Sequence, residues 1–148
     1  MTAGPAGPAD REITLDARRE NLAPLLDFLD GALADAALER ELAAEIRLAA
    51  EEVCVNVVSH AYAGRPPGPV RVRFHRAPGA VHITVEDRGI PFDPATAPVP
   101  KLDTDWQARP IGGLGWHLVR HTMDDVHYEP LTGGGNRVTL TRRVPERS

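Results

Sequence analysis

Along most of the chain, hydrophobic residues either alternate with polar ones or recur at helical spacing. Ile13 and Leu15 share one side of an alternating stretch, which predicts a strand over Glu12–Asp16. Leu22, Leu25, Leu26, Leu29 and Leu33 recur at i, i+3 and i+4, predicting a helix over about Asn21–Ala36 that Gly31 weakens without ending. Leu38–Ala63 is rich in Ala, Leu and Glu, without Gly or Pro until Gly64, and reads as the strongest helix. Leu42, Ile46, Ala49, Val53 and Val57 form its apolar stripe. Gly64, Pro66, Pro67, Gly68 and Pro69 then turn the chain. Val70, Val72 and Phe74 alternate with Arg71 and Arg73, and Val81, Ile83 and Val85 repeat the pattern, with Pro78-Gly79 as the hairpin turn between two strands. Arg88–Ile111 carries Pro91, Pro94, Pro98, Pro100 and Pro110 without periodicity, a length that usually marks a functional lid or disorder. Gly112, Gly113 and Gly115 open a helix over about Trp116–Met123, and Asp125–Glu129 and Arg137–Arg143 form a closing hairpin around Thr132–Gly135.

This order of elements predicts an α+β two-layer sandwich rather than the strict strand–helix alternation of a Rossmann fold. Met1–Asp10, mostly Ala, Gly and Pro, reads as a disordered tail. The remaining 11–145 reads as one domain without internal repeats.

Composition narrows the possible functions. At 148 residues the chain is long enough to bury one core, and with aromatics at 5% that core must be largely Ala, Val, Leu and Ile. The 17 basic and 21 acidic residues give a net charge of −4, Lys101 is the one lysine, and no basic run offers a footprint for nucleic acid. A P-loop is excluded because no Gly-Lys-Ser/Thr occurs. The single Cys54, set between Val53 and Val55, excludes a disulfide framework and reads as a small core residue. No apolar run approaches the roughly 20 residues needed to cross a bilayer, and no secretory leader is visible, so no membrane association and a cytoplasmic location are expected.

Three constellations can carry chemistry. Glu52 and Asn56 are i, i+4 on the long helix, with His60 continuing the row. An amide oxygen suits Mg²⁺, and a carboxylate one turn away suits proton acceptance, although such a pair taken alone is ordinarily a solvated helix face. Glu86-Asp87-Arg88-Gly89 ends a predicted strand, where Asp87 is able to accept a hydrogen bond from an exocyclic amine and Gly89 lets a flat base approach the backbone. Taken alone, that segment is an ordinary strand exit. Gly112-Gly113-Leu114-Gly115 before a helix offers converging amides and a positive helix end for phosphate, or else simply a flexible linker.

Their order makes the case. Glu51-Glu52-Val53-Cys54-Val55-Asn56-Val57-Val58-Ser59-His60-Ala61-Tyr62 resembles the N box of the GHKL ATPases. Asp87-Arg88-Gly89-Ile90-Pro91-Phe92-Asp93-Pro94 resembles their first glycine box, and Gly112-Gly113-Leu114-Gly115-Trp116-His117-Leu118-Val119 their second. The small size, Asn-x-x-x-His-Ala-Tyr, Pro-Phe-Asp-Pro and Met123-Asp124-Asp125-Val126 look like the stand-alone anti-sigma-factor serine kinases of bacterial partner switching, over about Glu12–Val144.

This resemblance implies a Bergerat fold, a mixed and mostly antiparallel sheet with helices on one face. It implies ATP and Mg²⁺, with Asn56 holding the metal, Glu52 as general base, and Asp87 on the adenine amino group with Gly89 beside the ring. Gly113, Leu114 and Gly115 would cradle the phosphates, and Asp93–Ile111 would form the ATP lid. The implied partners are a STAS-domain anti-sigma-factor antagonist, phosphorylated on serine, a sigma factor, and a second copy of the chain.

Some residues depart from the family pattern. Pro91 stands at the second glycine of the first box and removes a backbone donor. The frequent Gly-Thr near the last strand is here Gly135-Asn136-Arg137, leaving Thr139 as a weak substitute. Lys101 lies in the lid, where it either reaches a phosphate as a point charge or stands as an exposed loop lysine. His117 and His121 are i, i+4 but lack an acidic or Cys partner for a metal, and Trp106 and Trp116 suit either nucleotide cover or core. These departures leave a second reading beside the kinase: an ATP-binding regulatory module that binds a partner without phosphotransfer.

Overall fold

Period-two alternation on four segments and a short fifth builds one sheet. The computed structural model describes residues 10–91 and 111–146, with the backbone alone for 111–116. The predicted tail lies outside the described residues except for its last position, Asp10. That residue is in the sheet because it pairs in register with His75. The strands are β1 (Asp10–Asp16), β2 (Pro69–Ala77), β3 (Ala80–Asp87), β4 (Asp125–Pro130) and β5 (Asn136–Arg143), in the order β1-β2-β3-β5-β4.

Every described pairing is antiparallel, so the sheet is not the mixed one expected. Tight hairpins at Pro78-Gly79 and Leu131–Gly135 impose that sense on β2–β3 and β4–β5. The helical connections return the chain reversed for the other two pairs.

Register decides which side chains face the helices. Val72 lies opposite Val85 and Phe74 opposite Ile83. Val85 in turn lies opposite Val138, and Ile83 opposite Leu140. All are buried on one face, while Arg71, Glu86, Arg137 and Glu129 form a row on the other. The helices α1 (Leu22–Asp35), α2 (Arg40–Asn56) and α3 (Ile111–Thr122) cover the apolar face, with α2 packed between the other two. Leu25, Leu29, Ile46, Ala49, Val53 and Cys54 close the core from the helix side. Cys54 is fully buried, and burial pushes its thiol up to about 12, as befits an inert packing residue.

The long predicted helix is shorter than Leu38–Ala63 and changes winding before it ends. α2 stops at Asn56, and Val57–Ala61 forms a π turn. His60, four residues after Asn56, is exposed and lies in this π turn rather than on α2. α3 begins at Ile111, which places Gly112, Gly113, Leu114 and Gly115 inside its first turns rather than ahead of it.

Candidate functional site

Alternation along β3 places Asp87 in the same inward row as Val81, Ile83 and Val85, where the next core side chain would stand. The residue is buried and only 4% exposed. Its Oδ1 accepts the Gly89 N–H at 2.8 Å and the Asn136 amide at 3.0 Å. Asn136 is its in-register neighbour on β5. The same Nδ2 donates to the Ile90 carbonyl at 2.8 Å, and the Asn136 Oδ1 accepts the Tyr128 hydroxyl at 2.9 Å. Burial pushes the Asp87 carboxyl above its ordinary value, partly offset by the Asn136 and Gly89 donors.

The turn after Asp87 is bound to the end of the helix that carries Glu52 and Asn56. Ile90 N–H donates to the Ala61 carbonyl at 2.7 Å, at the last residue of the π turn. Arg88 N–H donates to the Tyr62 hydroxyl at 2.7 Å, and that hydroxyl donates to the Pro69 carbonyl at 2.6 Å. A Cβ on Gly89 would overlap the Ala61 carbonyl, 2.5 Å from its carbon and 2.9 Å from the Ala61 Cβ. The glycine is therefore required by this docking. Gly135, at φ 117°, has the same constraint from the other side, because a Cβ there would overlap the Asp87 carbonyl and lie 2.9 Å from the Arg88 Cα.

Glu52 and Asn56 stand one turn apart on α2, both partly exposed. Burial, helped by the neighbouring charge of Glu51, raises the Glu52 carboxyl. Glu51 itself pairs with Arg47, whereas Glu52 has no ion-pair partner among the described residues. A carboxylate without an ion-pair partner is free to accept a proton. No three His, Cys, Asp or Glu among the described residues gather as a metal cluster. The donor set is a neutral amide beside a carboxylate, which fits Mg²⁺ in its usual habit of keeping waters and taking phosphate oxygens.

Other expected participants fall elsewhere. Lys101, Trp106 and the lid segment 93–110 lie outside the described residues, as does the side chain of Trp116. The backbone of Gly113, Leu114 and Gly115 belongs to α3, which packs on α2. Thr139 lies in register with Thr84 on the outer sheet face and so cannot substitute for a contact at Asp87. His117 and His121 stack with ring centroids 6.5 Å apart on the exposed side of α3. Sequence reasoning missed the roles of Asn136, Tyr128 and Tyr62. The alternation Asn136, Val138, Leu140 places Asn136 in the inner row, but its partner depends on strand register.

The family profile for the histidine kinase-like ATPase domain matches residues 15–142. The chain belongs to this family. Among relatives of this histidine kinase-like ATPase, the serine-protein kinase RsbW of Listeria innocua is 29% identical over 125 residues, 80% of this chain and 77% of that protein. The anti-sigma F factor of Geobacillus kaustophilus is 27% identical over 100 residues, 68% of each chain. In fold, the ATPase resembles the structure of the RsbU and RsbW domains of Rv1364c from Mycobacterium tuberculosis, with a TM-score of 0.64 at 24% identity. That likeness covers 93% of this chain and 34% of the other, so this chain spans about a third of the one in that structure. The α+β architecture expected from the element order is the one that structure shares.

Proposed function

We propose that this histidine kinase-like ATPase is a protein-serine kinase and anti-sigma factor of a bacterial partner-switching pathway. The observation that carries this reading is the pinning of the buried Asp87 turn to the end of the helix bearing Glu52 and Asn56. The names of its relatives, serine-protein kinase RsbW and anti-sigma F factor, support it. The proposed acceptor is a serine of a STAS-domain antagonist. A sigma factor and a second copy of the chain are proposed as further partners, and the cytoplasm as the location. No helix among the described residues is long and apolar enough to cross a membrane.

Each residue has a proposed part in the reaction. Asp87 would accept the adenine amino group, the N-terminal turns of α3 with Gly113, Leu114 and Gly115 would border the phosphates, and Lys101 would be a further phosphate contact. Asn56 would hold Mg²⁺, which would supply charge neutralisation for the transferring phosphoryl group. Glu52 takes the serine hydroxyl proton as its oxygen bonds to the γ-phosphorus and the β–γ bridge breaks to release ADP. Positioning and one base suffice because phosphoryl transfer asks for little covalent chemistry from the protein.

Incubation with γ-labelled ATP, Mg²⁺ and a STAS-domain antagonist is expected to label the antagonist on serine, and a folded protein that transfers no label overturns the kinase reading. Pro91, which offers no N–H where the family has glycine, favours a second reading of nucleotide-dependent partner binding without transfer. That reading expects no label with the wild type and partner binding unchanged by Glu52→Gln.

A further inference from the structure

We infer that Asn136, oriented by Tyr128, is a positioning residue for base recognition: it turns the Asp87 carboxylate so that Oδ1 is occupied and Oδ2 is presented to the amine edge of adenine. The inference rests on the reading of Asp87 as the base-binding residue and adds what makes that residue selective.

The geometry is specific. Asn136 and Asp87 are paired across β3 and β5 on the inner face, and both are buried. The Tyr128 hydroxyl bonds to Oδ1 of Asn136, so the amide nitrogen must point away from β4. That nitrogen reaches both Asp87 Oδ1 and the Ile90 carbonyl. Gly89 N–H adds a second donor to the same carboxylate oxygen. Oδ2 of Asp87 receives no hydrogen bond among the described residues. An amide flipped end for end would set its oxygen against both the carboxylate and a carbonyl, and the tyrosine hydroxyl favours the other orientation.

Chemistry gives this arrangement a consequence. An ionised carboxylate is an acceptor only, and it suits the exocyclic amine of adenine while opposing the O6 carbonyl of guanine. A protonated carboxyl is able to donate to O6, which erodes that discrimination. Burial pushes Asp87 towards the protonated form, and the donors from Asn136 and Gly89 push it back. Asn136 therefore protects both the orientation and the charge on which the choice of base depends. It stands where the family's frequent threonine was expected, and its longer side chain reaches the carboxylate directly.

The test compares Asn136→Leu, Tyr128→Phe and Asp87→Asn in the full chain. Binding of a fluorescent ATP analogue, with GTP as competitor, is measured from pH 5 to 8, and folding is checked by circular dichroism. Asn136→Leu is expected to lower the preference for ATP over GTP by about tenfold, the worth of one buried hydrogen bond, and to move the acid loss of ATP binding to higher pH. Tyr128→Phe should shift both in the same direction by less. Wild-type preference and pH profile in both variants, with Asp87→Asn losing the preference, overturn the inference while leaving Asp87 as the base-binding residue. An unchanged preference in Asp87→Asn overturns that underlying reading and the inference with it. Should Asn136→Leu fail to fold, Tyr128→Phe decides, because it removes one hydroxyl and no packing volume.

Discussion

At Gly89 a single missing methyl group decides whether two parts of the site meet. Its Cβ position is filled by the Ala61 carbonyl, and the adjacent Ile90 N–H bonds to that carbonyl. Gly89→Ala is expected to destabilise the fold by about 1–3 kcal/mol, the usual cost of overpacking, read as a lower midpoint in urea. It should also weaken ATP binding, because the displaced turn carries a ligand of Asp87. Glu52 shows the opposite economy, since the burial that raises its carboxyl costs stability and, in the proposed role, strengthens the base. A general base must be ionised, so phosphotransfer should fall as pH drops through a value above the ordinary 4.5 of a glutamate. Glu52→Gln is expected to lower the transfer rate by about 10²–10⁴-fold while ATP affinity is kept. An equal loss of ATP binding in that variant speaks against the base assignment.

At the scale of elements, the sheet has two faces with different work. The inner face is apolar through its middle rows, with Arg76 and Arg142 in the row at one end and Asp87 and Asn136 in the row at the other. The outer face carries a charge row across four strands. Arg71 reaches Glu86 at 2.8 Å, Arg137 bonds the other oxygen of Glu86, and Arg137 also meets Glu129 at 3.2 Å. Burial alone would raise Glu86, but the hydrogen bonds from Arg137 and Arg71 outweigh it and hold the carboxyl below its ordinary 4.5. A carboxylate lowered in the folded state contributes stability that is present above its unfolded pKa and is lost as pH falls through the folded one. Unfolding midpoints should therefore fall below about pH 4.5, and Glu86→Gln should flatten that fall. Glu52 and Asp87, both raised on folding, carry the opposite sign, and the difference between wild-type and Glu86→Gln curves separates the two contributions. An unaltered curve in Glu86→Gln rules out this row as a source of acid sensitivity.

For the whole molecule, a ligand that binds the folded state alone must stabilise it. With Mg²⁺ and ATP at a hundredfold excess over Kd, the gain is about 2.7 kcal/mol, which raises the midpoint of a domain of this size by about 5–10 °C. GTP at the same concentration should give a smaller rise, and the absence of any rise with ATP sinks the nucleotide assignment. Much of this molecule is legible in the chain itself. Alternation and helical periodicity depend on neighbours in sequence, so the strand and helix segments and the buried Cys54 follow from them. The order of the acid/amide helix, the Asp-x-Gly strand end and the glycine cluster likewise marks the histidine kinase-like ATPase family. The same alternation, carried one step past Val85, makes Asp87 inward-facing. Sequence spacing does not say which residues from distant segments meet. The register of β5 on β3 brings Asn136 rather than Thr139 to Asp87. The π turn brings Ala61 against Gly89. Those are contacts between residues 28 and 49 positions apart, set by hydrogen-bond register and close packing, and no local pattern encodes them.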